Sequence, residues 1–289
     1  VKLRIITGRA GAGKSKLVLE TIAAQRFERQ QILLVPEHAT HEAELDLCRA
    51  LGDTASRDGE VLSFQSLATR VLSQTGGISD ITLDNGGTIL IMRRALQEVS
   101  SYLTVFSKPS QRPAFLRELV ALADELYAYK IAPSLLLQQV QDIPGAAGDK
   151  LRSTALLFGA YDARLHGGDF DARSKVQKLC DKLPNSGYLC GKDIYIDGFS
   201  YFNRTEEDII AAALKQANSV TVTLLGDDSD PQLFRNGIQQ RERLRRLAKD
   251  AGCSCEVENL VRNSDTAFSH LERYFLGAEK AWTGSAPSI

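Results

Sequence analysis

Apolar residues follow two rhythms along this chain. Short continuous runs at residues 3–7, 32–36, 61–64, 194–196 and 220–225 predict strands buried on both faces, as in a parallel sheet covered by helices. Between them the apolar residues recur at helical spacing: Leu17, Val18, Ile22 and Phe27 after the first run, then residues 40–50, then Leu67, Ala68, Val71 and Leu72. Helices over 206–216 and 237–250 follow the later runs, so strand and helix alternate as in an α/β fold. From 81 to 189 the rhythm is helical, through 89–99, 113–130, 133–140 and 151–165, with no convincing strand. The pattern therefore predicts one α/β domain, 1–80 and 190–289, split by a mostly helical insertion at 81–189. A strand over 257–260, a helix over 266–275 and a small, polar tail at 284–289 complete the expectation.

The first strand runs straight into Gly8, Arg9, Ala10, Gly11, Ala12, Gly13, Lys14 and Ser15, which fit G-x-x-x-x-G-K-S/T at every position. A loop of this kind between strand and helix turns its backbone N–H groups toward phosphates. Lys14 would reach the β- and γ-phosphates and the Ser15 hydroxyl would ligate Mg2+, so ATP and Mg2+ are the expected cofactors. Arg9 either touches phosphate or faces solvent, and the sequence leaves both readings open. Such a site also needs an acid at the end of another strand, to hold the hydration shell of the metal. Asp197, closing the run at 193–197, meets that demand and joins Lys14 as the catalytic candidate. The next residue is Gly198, where hydrolytic motors commonly carry a glutamate that activates water, so impaired hydrolysis is expected. Glu206 and Glu207 lie nearby, but Thr205 with Asp208 three residues on reads as a capping box, and acids suit the first turn of a helix.

Other features keep two readings each. Gly226-Asp227 ends a strand, where it would sense a ligand or simply turn the chain. Phe64 would stack on a single-stranded base or pack inside. Arg241, Arg243, Arg245, Arg246 and Lys249 form the basic face of an amphipathic helix, either solvated or set against phosphates. His38 and His41 lack a third ligand and read as surface histidines.

Charge and composition sharpen this only a little. Lys+Arg 35 against Asp+Glu 36 leaves a net charge of −1, so a nucleic-acid surface has to come from local clustering of cations. With 43% hydrophobic and 25% charged residues, a disordered or disulfide-stapled chain is excluded. The five scattered cysteines contain no C-x-x-C pair, which argues for a reducing compartment and against a zinc site. No apolar stretch approaches the roughly 18 residues of a membrane span, and the run before Arg9 is too short for a signal peptide. A cytoplasmic protein without membrane contact is expected.

Gly8 to Ser15, the series Val35, Pro36, Glu37, His38 with Thr40 and Glu44, the series Val61 to Phe64 with Leu67, and Ile196, Asp197, Gly198, Phe199 with Phe202 together resemble a known family. It is the N-terminal part of AddB/RexB, the B subunit of the bacterial AddAB-type helicase-nuclease that processes double-strand breaks for recombination. The resemblance spans essentially the whole chain. Its phosphate loop is generic to NTPases, whereas the Pro-Glu pair and Asp-Gly-Phe at these separations are more diagnostic. It implies a P-loop NTPase domain of superfamily 1 helicase type within a hydrolase complex, with DNA and an AddA-type helicase-nuclease subunit as partners. Family members also carry a second motor-like domain and a C-terminal nuclease whose cysteines hold an iron-sulfur cluster. Neither cleavage nor the cluster is expected of the residues here.

Three departures from the family or from active motors stand out: His38 where Gln is frequent, Gly198 for the catalytic acid, and Gly226-Asp227 without the glutamine that usually follows. Two classes of function remain. One is an ATP-binding helicase-like domain with weak or no ATPase alone; the other is a non-catalytic DNA-scanning scaffold with a vestigial nucleotide site. A free-standing P-loop kinase is disfavoured, because the insertion has no cation-rich lid.

Overall fold

The computed structural model describes residues 1–52, 55–76, 84–106, 112–140, 143–166, 174–261 and 270. Position 81 and the tail at 284–289 fall outside them, as does the helix expected over 266–275 apart from residue 270.

Six strands form one sheet: β1 (Lys2–Gly8), β2 (Gln31–Leu34), β3 (Gly59–Leu62), β4 (Asp193–Ile196), β5 (Ser219–Leu225) and β6 (Ser254–Leu260). Their spatial order is β3-β2-β4-β5-β1-β6, and every neighbouring pair is parallel. Parallel neighbours cannot be joined by tight turns, so helices make the crossovers. Four of the five connections use α1 (Lys14–Ala24), α2 (Thr40–Leu51) with the short α3 (Ala55–Asp58), α10 (Arg204–Gln216) and α11 (Arg235–Asp250), and the connection from β3 to β4 runs through the helices of a second unit. All residues of β2 and β4 are buried, which is why their sequences read as unbroken apolar runs. Val18 and Ile22 of α1 and Leu47 and Leu51 of α2 pack with Ile6, Leu33, Val61 and Tyr195 in one core cluster. The edge strand β6 is mostly exposed, and it is charged: Lys2 pairs with Glu256 at 2.7 Å and Arg4 with Glu258 at 2.6 Å. Charges of this kind blunt an open edge against further strand pairing.

The chain divides into two compact units: Val1–Ser63, Leu189–Tyr201 and Ala213–Ile289 in one, Phe64–Tyr188 and Phe202–Ala212 in the other. The second unit holds α4 (Phe64–Thr75), α5 (Asn85–Val99), α6 (Pro113–Ala128), α7 (Pro133–Gln139), α8 (Gly145–His166) and α9 (Lys175–Ser186). It has its own core, in which Met92 and Leu96 of α5, Leu116 and Leu119 of α6, and Leu157, Phe158 and Tyr161 of α8 meet. Among its described residues there is no strand. This unit starts at Phe64, because α4 packs on α9; the hydrophobic period alone draws the line at 81.

Helix α9 carries a signal that periodicity passes over. Ser174 accepts from the Gln177 N–H at 3.2 Å while the Gln177 side chain accepts from the Ser174 N–H at 2.8 Å, a complete capping box. Pro184 inside the same helix obscures the pattern.

Ile5 is 0% exposed on β1, a strand paired on both sides, whereas Val257 on the edge strand is 44% exposed. Ile5→Ala should therefore cost about 2–5 kcal/mol, read as a lowered urea midpoint, and Val257→Ala less than about 1 kcal/mol.

Candidate functional site

Strand β1 delivers Gly8 at the carboxyl-terminal edge of the sheet, the edge at which open α/β folds bind ligands. The loop from Gly8 closes on Gly13, which has φ 89° and serves as the N-cap of α1 without any side-chain cap. Leu17 N–H donates to the Gly13 carbonyl at 2.9 Å as the first bond of the helix. The N–H groups of the first turn before it have no intrahelical acceptor, and that turn carries no acidic residue. Gly11, Gly13 and Ser15 are exposed. The helix thus presents an uncapped positive end to solvent, the arrangement that suits a polyphosphate. Lys14 folds back across the loop, its Nζ donating to the carbonyls of Gly8 at 2.8 Å and Arg9 at 2.9 Å. An ammonium group thus lies against the loop into which phosphate oxygens would fit, and the donor set matches the group the sequence calls for.

The sheet order places Asp197 at the same edge. β4 is separated from β1 by β5 alone, a lateral span of roughly 10 Å at normal strand spacing. Asp197 follows Ile196, whose partner on β5 is Val222, which in turn pairs with Ile5 of β1. Its N–H donates to the Leu34 carbonyl at 2.9 Å, so the backbone is fixed from β2, and its Oδ1 accepts from the Thr223 hydroxyl. Thr223 is 3% exposed, and a buried hydroxyl on a central strand needs such a partner. Sequence reasoning missed Thr223, although a threonine within an apolar run was the available signal. No cluster of three His, Cys, Asp or Glu side chains able to hold a metal occurs among the described residues. A Mg2+ at this edge would be carried on phosphate oxygens, with the Ser15 hydroxyl and Asp197 as the protein groups that could complete its shell.

The other candidates take definite places. Gly198 has φ 81°, and a Cβ there would lie 3.4 Å from Pro36 Cδ, so the residue answers a backbone demand. Phe64 is 5% exposed and starts α4 instead of ending β3, so its ring is not offered to a base. His38 and His41 are exposed, in keeping with surface histidines. Asp227 pairs with Arg9, whose side chain is 17% exposed. In the basic helix α11, Arg241 binds both carboxylate oxygens of Asp228 at 2.9 Å and Arg245 pairs with Glu242 at 3.3 Å, so part of the positive face is neutralised. The capping box is closed by Asn203 and Glu206, not by Thr205 and Asp208. The Glu206 carboxylate accepts from the Asn203 N–H at 2.9 Å, and the Asn203 side chain accepts from the Glu206 N–H at 2.9 Å. The Thr205 hydroxyl donates instead to the Ala128 carbonyl at 3.0 Å. Burial pushes the Glu206 carboxyl above its usual range, against the opposing pull of the Asn203 N–H.

The sequence model of the family described as "ADDB, N-terminal" matches residues 5–272. A protein of Desulforamulus reducens, named as the B subunit of an ATP-dependent helicase/deoxyribonuclease, is 33% identical over 95% of this chain and 26% of its own length. Its namesake in Clostridioides difficile is 33% identical over 78% of this chain and 20% of its own length. The Pelotomaculum thermopropionicum namesake is 32% identical over 95% and 26%. The chain thus spans about a quarter of the length of these relatives.

The cap assignment can be checked on stability. A carboxyl whose pKa is raised on folding favours the folded state more as pH falls through that pKa, so removing its charge should not destabilise the protein at neutral pH. Glu206→Gln, which keeps an acceptor for the Asn203 N–H, should leave stability at pH 7 unchanged or slightly raised in urea unfolding. Asn203→Ala should lower it by about 0.5–2 kcal/mol.

Proposed function

The chain belongs to the AddB N-terminal family, and from that premise we propose that it is the ATP-binding, DNA-interacting helicase-like domain of one component of an ATP-dependent helicase/deoxyribonuclease. The complex would act in the cytoplasm on double-strand breaks, for repair and recombination, with an AddA-type subunit as its partner. The motor-like domain would be drawn from 1–80 and 190–289 and its helical insertion from 81–189, with α4 and the first turns of α10 packed into the helical unit. The observation that carries this reading is the uncapped α1 N-terminus behind the loop from Gly8 to Ser15, with Asp197 on the same sheet edge. No helix among the described residues is long and apolar enough to cross a membrane.

In this reading the N–H groups of the loop and of the first turn of α1 hold the phosphates. Lys14 would exchange the carbonyls of Gly8 and Arg9 for phosphate oxygens, and Ser15 and Asp197 would hold the metal that the nucleotide brings. Bound Mg2+ supplies charge neutralisation at the phosphates. A water-activating group is a separate requirement, and Gly198 offers no side chain for it. That observation favours a second reading for the catalytic step alone: a nucleotide-binding module that scans DNA while its partner does the work.

Lys14→Ala should weaken MgATP binding by roughly tenfold or more in calorimetry, as expected for the loss of charge-assisted hydrogen bonds. Equal affinities would move the nucleotide site elsewhere. Turnover of ATP by the purified protein without its partner, with single-stranded DNA present, should stay far below about one per second, because a missing arginine finger alone is worth roughly 10³–10⁵ in rate. DNA-stimulated turnover of several per second would overturn the assignment of Gly198 as a missing base.

A further inference from the structure

The Arg9 side chain, at the second position of the loop, points along the sheet edge to the exit of β5. Its Nε donates to Asp227 Oδ2 at 2.5 Å, and its guanidinium carbon lies 5.2 Å from the centre of the Phe234 ring. The Arg9 side chain is 17% exposed and that of Asp227 is 20% exposed, so the pair is largely screened from water. Asp227 also accepts the Ser229 N–H at 2.8 Å. Burial works to raise its pKa, but the hydrogen bonds from Arg9 and Ser229 and the charge of Arg9 outweigh burial and hold it low. The backbone is tied at the same place, with the Gly226 N–H donating to the Gly8 carbonyl at 3.2 Å. Phe234 is set in turn by α11, whose Gly237 passes so near the end of β5 that a Cβ there would lie 1.8 Å from the Leu225 carbonyl oxygen.

We propose that Asp227 and Phe234 are positioning residues of the phosphate loop, which hold Arg9 off the phosphates and fix the backbone of 8–10 in the shape that receives a nucleotide. The proposal rests on the reading of Gly8 to Ser15 as the nucleotide site. Its physical basis is conformational entropy. The loop carries Gly11 and Gly13 at positive φ, and glycine-rich backbone loses much freedom when a ligand immobilises it. A clasp that is present before binding removes part of that loss and raises affinity. Releasing Arg9 would act in the opposite direction by adding a second cation beside Lys14. The two effects differ in sign, so measurement separates them.

The test is calorimetric titration of MgATP into the purified protein and its Arg9→Ala, Asp227→Ala and Phe234→Leu variants, the Arg9→Ala/Asp227→Ala double variant, and Lys14→Ala as a control. Asp227→Asn, which keeps volume and the Ser229 contact, stands in if Asp227→Ala fails to fold. Each single variant of the clasp should bind about three- to tenfold more weakly. The double variant should be no weaker than the weaker single, since one shared contact is lost once; a general loss of structure would instead add. Tighter binding by Asp227→Ala with weaker binding by Arg9→Ala would overturn the proposal, by making Arg9 a phosphate ligand held in reserve. Wild-type affinity in all clasp variants, with Lys14→Ala impaired, would overturn the clasp and leave the nucleotide site standing. Wild-type affinity in Lys14→Ala as well would remove the site itself.

Discussion

Strand β5 is the constraint on which the α/β unit turns. It must be paired on both sides, over seven residues with β1 and four with β4, because an unpaired strand in the middle of a buried sheet would leave its peptide groups without partners. That double pairing puts the phosphate loop and Asp197 on one edge, with a single strand between them. β5 also carries Thr223, which fixes the Asp197 carboxylate, and runs out into Asp227, which fixes Arg9. The two halves of the candidate site are therefore set by side chains from the same strand and its exit, while neither half lies on it.

Much of this was legible in the sequence, and for stated reasons. The loop could be read because its chemistry needs fixed residue types at fixed spacing, and β2 and β4 because strands buried on both faces leave unbroken apolar runs. Asp197 could be read because it ends such a run. The clasp could not: Arg9 and Asp227 are neighbours only through the β1–β5 register, and a single sequence does not display which strands adjoin. Helix boundaries failed where two caps competed. Asn203 and Thr205 are both good N-cap residues, but the helix starts at Arg204, so Asn203 holds the cap position and Thr205 lies in the first turn, where its hydroxyl donates to the Ala128 carbonyl. Phe64 failed for a related reason, since a buried aromatic at a strand-to-helix junction fits either element.

The helical unit is built from two separate stretches of chain, and its second stretch is stitched in by polar contacts. Thr205 reaches the carboxyl end of α6 through Ala128, Lys130 pairs with Asp208, and the Cys180 thiol lies 3.4 Å from the Thr205 carbonyl. Burial pushes that thiol up to about 11, so it stays protonated and unreactive at neutral pH. The first turns of α10 thus belong to the helical unit although its end leads into β5, which makes one helix the covalent continuation of both units.

Gly198 has a consequence that reaches past the chemistry of one site. At φ 81° and with Pro36 close by, the position disfavours every residue with a Cβ. Placing an acid here by a single substitution would cost backbone strain of about 1–2 kcal/mol. A glutamate at 198 would thus come at the expense of the turn that now closes the strand. The neighbouring Asp197, Lys14 and Ser15 carry no such lock. The strand end is thus held by its shape, whereas the rest of the site is held by its side chains.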